Sequence, residues 1–84
     1  MELHQQAASV GTKESLVEFV AALRCDLENN PSNWENVTLN RFLIAMESWI
    51  ADMDQYYKNT GQKPPANPTW KTFADILYAS RIYE

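Results

Sequence analysis

Three carboxylates, Glu47, Asp52 and Asp54, lie close together in the middle of the chain. Acids on a helix can hold a divalent ion that activates water for the hydrolysis of a nucleotide. Helical sites of that kind place several acids three or four residues apart, often with a second helix that also carries acids, and "MESWIADMD" is sparser. The sequence also lacks a Glu-x-x-His pair and an HExxH motif. We therefore predict no metal site and no cofactor.

The single histidine and the single cysteine are the next candidates for chemistry. His4 lies in a segment without sustained periodicity, whereas a general base must be held within hydrogen-bond reach of its target. Asp26 and Glu28 follow Cys25 closely and disfavour a thiolate there. We predict no catalytic residue and a protein that is not an enzyme. A lone cysteine forms no disulfide within the chain, which is typical of a reducing compartment, so we expect a cytoplasmic protein.

Arg81 is the charged residue with the most distinctive position. It lies in line with the apolar side of the last predicted helix, so its stem should be partly buried and its guanidinium should need a carboxylate. We predict a buried ion pair between Arg81 and Asp54, with Glu47 and Glu84 as other partners. Alternatives are a guanidinium that reaches water and a site for an anion.

Apolar periodicity predicts three helices that would position these side chains, at about residues 13–28, 38–58 and 69–83. The middle helix has the strongest pattern, and we expect the other two to pack around it. Its apolar residues recur at steps of three and four: Leu39, Phe42, Leu43, Met46, Trp49, Ile50, Met53 and Tyr57. Asn36 or Thr38 is expected to cap this helix.

The organisation predicted from these elements is an all-α fold with a short extension. Residues 1–11 have no sustained period and are expected to be a flexible arm, and residues 12–84 to form a single helical domain. The segment "QKPPANP" contains three prolines, so it is expected to be a stiff, extended crossover loop between the second and third helices.

The apolar surface of the predicted helices exceeds what three helices can bury. The last helix carries a second apolar stripe beside the one that contains Trp70 and Leu77, and a helix that is apolar nearly all round must be buried on several sides or face a partner. We expect an interaction surface formed by Ile44, Ile76, Ala79, Tyr83 and Trp34. The arm and the loop could instead cover these residues, and Trp34 could be a lid over the core.

The composition limits the classes of partner. The chain has 84 residues and a net charge of −4, and its seven basic residues are scattered. Binding to nucleic acid needs several phosphates neutralised together, so we predict no nucleic-acid partner. No apolar run is long enough to span a membrane, and we predict no membrane partner. The expected partner is a protein, or a second copy in a homodimer.

The run "NPSNWENVTLNRFLIAMESWIADMDQYYKN" and the later "PTWKTFADILYASRIYE" resemble a family of small bacterial proteins catalogued as a domain of unknown function. The resemblance covers roughly residues 15–84. It rests on Trp34, Asn36, Leu39, Phe42, Leu43, Trp49, Asp52, Tyr57, Trp70, Phe73, Ala74, Leu77, Tyr83 and Glu84. The resemblance implies no catalytic residue.

Small acidic proteins of this type are often similar to immunity proteins, which neutralise a toxin by binding it. The function that we expect is therefore a non-enzymatic protein-binding module, immunity- or antitoxin-like. One alternative is a small metal-dependent hydrolase or nucleotide-binding protein that uses Glu47, Asp52 or Asp54. Another is a structural homodimer in which the last helices of two copies pack together.

Overall fold

The computed structural model describes residues 2–84 and is helical throughout its regular parts. Its elements are α1 (Leu3–Ser9), α2 (Lys13–Asn29), a 3₁₀ turn (Pro31–Asn33), α3 (Leu39–Asn59) and α4 (Trp70–Ser80). Residues 2–84 contain no strand, so the all-α class is confirmed. The predicted count of three helices is corrected to four, because Leu3–Ser9 also forms a helix. That helix lies in the segment predicted to be a flexible arm.

The three longer helices begin in the same way, at a threonine. The hydroxyl oxygens of Thr12, Thr38 and Thr69 each accept a hydrogen bond from the backbone N–H three residues further on, at 3.0, 3.2 and 3.1 Å. Each bond satisfies one of the N–H groups that have no partner inside the first turn of a helix. At the other end of α3, Gly61 has a φ of 74°, a left-handed conformation that favours glycine. These local signals set the helix bounds.

The helix at the centre of the fold is α4. It contacts α1, α2 and α3, whereas α2 and α3 have no Cα atoms within 8 Å of each other. The expectation that the other helices pack around the middle one is therefore wrong. Three small side chains of α4, Thr72, Ala74 and Ser80, are buried. Small side chains at a helix contact shorten the distance between helix axes, so several neighbours can pack closely around α4.

The core includes residues from the first ten positions of the chain. Ala7 of α1 and Val10 after it are buried in one cluster with Phe19, Leu23, Trp34 and Ala74. Phe19 is 1% exposed. Because α1 packs against both α2 and α4, it closes one side of this cluster. In the part of the chain that the structure describes, no helix is both long and apolar enough to cross a lipid bilayer.

Candidate functional site

An apolar groove lies where α2 and α3 diverge. Both helices pack on α4 but not on each other, and the space between α2 and the start of α3 has a volume of about 340 Å³. Six apolar side chains from the two walls line it: Val20, Leu23 and Leu27 from the α2 side, and Val37, Leu39 and Phe42 from the α3 side. Leu77 of α4 lines it between them. Two helices that share a third as their base thus leave a concave apolar surface.

Apolar residues of α3 extend this surface beyond the groove. Leu39 is 74% exposed, the largest value among the large hydrophobic side chains. Leu43 and Ile50 follow it at helical spacing on the same face and are 50% and 44% exposed. We call Leu39, Leu43 and Ile50 the apolar ridge. Scattered apolar residues are normal on a protein surface, but a contiguous set beside a groove is typical of an interaction site.

The groove and the ridge beside it carry few charges, and these are of opposite sign. Among the described residues that line it, Arg24 is the only charged one. Its guanidinium lies 3.6 Å from the Glu28 carboxylate, and both side chains are largely exposed, so this pair contributes little to stability. Glu47 is exposed and follows Leu43 by one helical turn, on the flank of the ridge. The groove therefore carries a cation, and the ridge an anion.

Trp34 closes one end of the groove. Its indole N–H donates a 2.8 Å hydrogen bond to Asp26 Oδ2 on α2, and its ring stacks on Phe42 of α3 with centroids 6.1 Å apart. Only 9% of Trp34 is exposed. This is the geometry of a lid, since the ring contacts two helices and its one polar group is bonded.

Asn36 fixes the loop before α3 to the end of α4. Its Nδ2 donates hydrogen bonds to the carbonyl oxygens of Ser80 at 3.0 Å and Tyr83 at 2.9 Å. Its backbone N–H donates to the Arg81 carbonyl at 3.1 Å. Thr38 provides the helix cap instead. Sequence reasoning considered only a capping role for Asn36, because its partners lie more than forty residues away and leave no local signal.

Two of the residues expected on the interaction surface lie together in a different place. Ala79 and Tyr83 line an apolar cavity of about 260 Å³ between α3 and α4, beside Trp49. The Tyr83 hydroxyl donates a 2.6 Å hydrogen bond to Asp52 Oδ2, and this bond raises the pKa of Tyr83. This hydrogen bond thus connects the last residues of the chain to the middle of α3, beside the cavity.

The other expected surface residues are separated from this cavity. Ile44 is 55% exposed but lies on the flank of α3 away from the apolar ridge. Ile76 is partly buried in α4, and Trp34 is the lid of the groove. The structure therefore does not bring the five expected residues into one surface. Sequence reasoning missed Val20, Val37 and Leu39 as exposed groove residues, although the great width of the apolar stripe on α3 was a signal for Leu39.

Arg81 lines a polar cavity of about 620 Å³ between α1, α2 and the end of α4. Its guanidinium carbon lies 4.2 Å from the centroid of the Tyr78 ring, within the range of a cation–π interaction. Its Nε is buried and has no hydrogen-bond partner within residues 2–84. The structure does not bring the Arg81 guanidinium and the Asp54 carboxylate together. Asp54 lies exposed on α3, whereas the guanidinium lies over the Tyr78 ring of α4.

The three carboxylates of α3 point to different surroundings. Asp52 is held by the Tyr83 hydroxyl, while Glu47 and Asp54 are exposed and have no ion-pair partner in residues 2–84. No group of three or more His, Cys, Asp or Glu side chains within that range could hold a metal ion.

A family model matches the chain over residues 12–84. Its description is "Family of unknown function (DUF7660)". No curated protein and no solved structure matches the chain. The matched span contains α2, α3, α4 and every residue of the groove, and it begins after α1. The resemblance inferred from the residues is thereby confirmed: the chain belongs to this family of unknown function.

Proposed function

We propose that the protein is a non-enzymatic protein-binding module that receives an amphipathic helix in the groove between α2 and α3. The observation that carries this proposal is that α2 and α3 both pack on α4 without contacting each other, so that an apolar space of about 340 Å³ stays open between them. An amphipathic helix that lays its apolar face into such a groove is a recurring mode of protein recognition.

The dimensions of the exposed surface fit a short helix. From Leu39 to Ile50 the apolar ridge rises by about 16 Å along α3, which is roughly three helical turns. A helix of that length presents three or four apolar side chains on one face, spaced at i, i+3 or i+4 and i+7. Leu39 and Val37, the latter 45% exposed, would be buried by such a helix. Each Å² of apolar surface removed from water in this way stabilises the complex by about 25 cal/mol.

The charge of the chain supports an immunity- or antitoxin-like role for this module. A net charge of −4 on 84 residues attracts a basic partner and accelerates encounter with it. We place the module in the cytoplasm, in agreement with an exposed cysteine, Cys25, that has no disulfide partner. The partner bound in this role is a protein, and neither a nucleic acid nor a membrane is part of the proposal.

A photo-crosslinking amino acid at Val37, inside the groove, tests the proposal in cells that express the full chain. The matched control is the same group at Ile44, which is similarly exposed but lies on the other flank of α3. We expect an adduct with a polypeptide at position 37 and none at position 44. An adduct at Ile44 alone, or none at either position, would contradict binding in the groove.

A further inference from the structure

We propose that the helix received by the groove is α3 of a second copy of this chain, so that two copies form a symmetric dimer. This inference rests on the proposed function, because it names the occupant of the same groove. In the dimer, the two apolar ridges pack against each other, and the Ile50 end of each ridge lies at the groove of the other copy. Most soluble oligomers are closed and symmetric, and a two-fold dimer needs one surface that is complementary to itself.

The surface meets this requirement because the groove and the ridge share a helix. Leu39 lines the groove and also begins the ridge, so the two features are continuous on one molecule. If two α3 helices run antiparallel and cross at Leu43, Leu39 of one copy faces Glu47 of the other, since each is four residues from the crossing point. Ile50, seven residues from the crossing point, extends past Leu39, the first residue of the facing helix, to the loop that contains Asn36 and lines the groove.

The charges agree with this register. Arg24 is the charged residue that lines the groove, and Glu47 is the acid on the flank of the ridge. The antiparallel register brings Glu47 of the second copy beside Leu39, on the groove wall that faces Arg24. Two such pairs form in one symmetric dimer, and in each of them Arg24 exchanges Glu28, its exposed partner in the single chain, for Glu47 of the other copy.

The acidic balance of the chain works against self-association, but over a limited range. Two copies with a net charge of −4 each repel one another at a distance. At physiological ionic strength this repulsion is screened beyond about 8 Å, whereas contacts inside the groove are not. The dimer buries six ridge side chains, three from each copy, and this apolar contact opposes the residual repulsion.

Charge exchange between Arg24 and Glu47 tests the dimer by sedimentation velocity over a range of protein concentrations. The substitutions Arg24→Glu and Glu47→Arg should each weaken dimerisation by about tenfold, since each sets like charges against each other across the interface. The double variant Arg24→Glu/Glu47→Arg should recover most of the affinity, because both copies then carry the exchanged pair. Arg41→Glu is the matched control, since Arg41 does not line the groove. Circular dichroism confirms that each variant is folded.

A protein that stays monomeric at millimolar concentration would overturn the dimer. So would a dimer that Arg24→Glu and Arg41→Glu weaken equally, or one that the double variant does not restore. The crosslink at Val37 separates the two proposals: an adduct with a second copy supports the dimer. An adduct with a different polypeptide overturns the dimer and leaves the groove as a protein-binding site.

Discussion

The Tyr57 hydroxyl donates a 2.7 Å hydrogen bond to Asp75 Oδ2 and thereby links α3 to α4. The Lys71 ammonium lies 3.0 Å from the same carboxylate oxygen, one helical turn earlier in α4. Tyr57 is buried. Burial, followed by the hydrogen bond and the charge of Asp75, raises the pKa of Tyr57 far above its ordinary value of 10.0.

This link predicts a loss of stability at alkaline pH. Above pH 10 the unfolded chain releases the Tyr57 proton while the folded chain keeps it, so the unfolded state is favoured by ionisation. The contribution of Tyr57 to the free energy of unfolding is thus complete below pH 10 and falls above it, by at most about 1.4 kcal/mol per pH unit. Urea denaturation between pH 8 and pH 11.5 measures this fall.

The substitution Tyr57→Phe should reduce the alkaline fall, because phenylalanine has no proton to lose. Tyr56→Phe is the control, since Tyr56 is the exposed neighbour on α3 and should leave the fall unchanged. Equal slopes for the natural chain and Tyr57→Phe would show that the link between α3 and α4 does not depend on this proton.

Replacement of Asn36 should destabilise the fold although the residue lies in a loop. Asn36→Ala leaves the carbonyl oxygens of Ser80 and Tyr83 without their side-chain donor, at a cost of about 1–3 kcal/mol. Asn33→Ala is a matched control, because Asn33 is exposed and its hydrogen bond to the Asn30 carbonyl comes from the backbone N–H, which the substitution keeps. Chemical denaturation of both variants compares them, and equal midpoints would contradict the role given to Asn36.

Trp34 predicts a second contrast between similar substitutions. Trp34→Phe removes the donor to Asp26 and part of the stack on Phe42, and we expect a loss of about 1–3 kcal/mol in the free energy of unfolding. Trp70→Phe should cost less than about 0.5 kcal/mol, since Trp70 is 42% exposed. Denaturation followed by far-ultraviolet circular dichroism measures both, and a greater loss for Trp70→Phe would be inconsistent with the lid.

The sequence predicted the helices whose signals are local. α2 and α3 begin and end close to the expected residues, because a threonine cap and a 3.6-residue period are encoded within a few positions, and so are the stops, Pro31 after α2 and Gly61 after α3. α1 was missed because seven residues are too few to show a period, and its stability comes from packing of Ala7 on other helices.

Local signals could not predict which helix lies at the centre of the fold or where the groove opens. Leu43 and Ile50 share an apolar stripe with the buried Trp49, yet they are exposed because α2 packs on α4 instead of on α3. Arg81 similarly contacts the nearby Tyr78 ring of α4 and not the distant Asp54. Periodicity gives the apolar face of a helix but not the helix that covers it.

The packing of α1 on α2 and α4 can be tested by substitutions at two neighbouring alanines. Ala7 is 4% exposed in the core cluster, while its neighbour Ala8 lies on the exposed side of the same helix. Ala7→Asp places a charge in this cluster and should lower the free energy of unfolding by at least about 2 kcal/mol, or detach α1 from α4. Ala8→Asp carries the same charge and nearly the same helix propensity into solvent, so it should cost less than about 0.5 kcal/mol.

Thermal denaturation measures the difference, and amide hydrogen exchange at residues 3–9 reports detachment directly. If the two variants were equally stable and exchanged alike, α1 would contribute nothing to the core, and residues 2–11 would then behave as the flexible arm expected from their lack of periodicity.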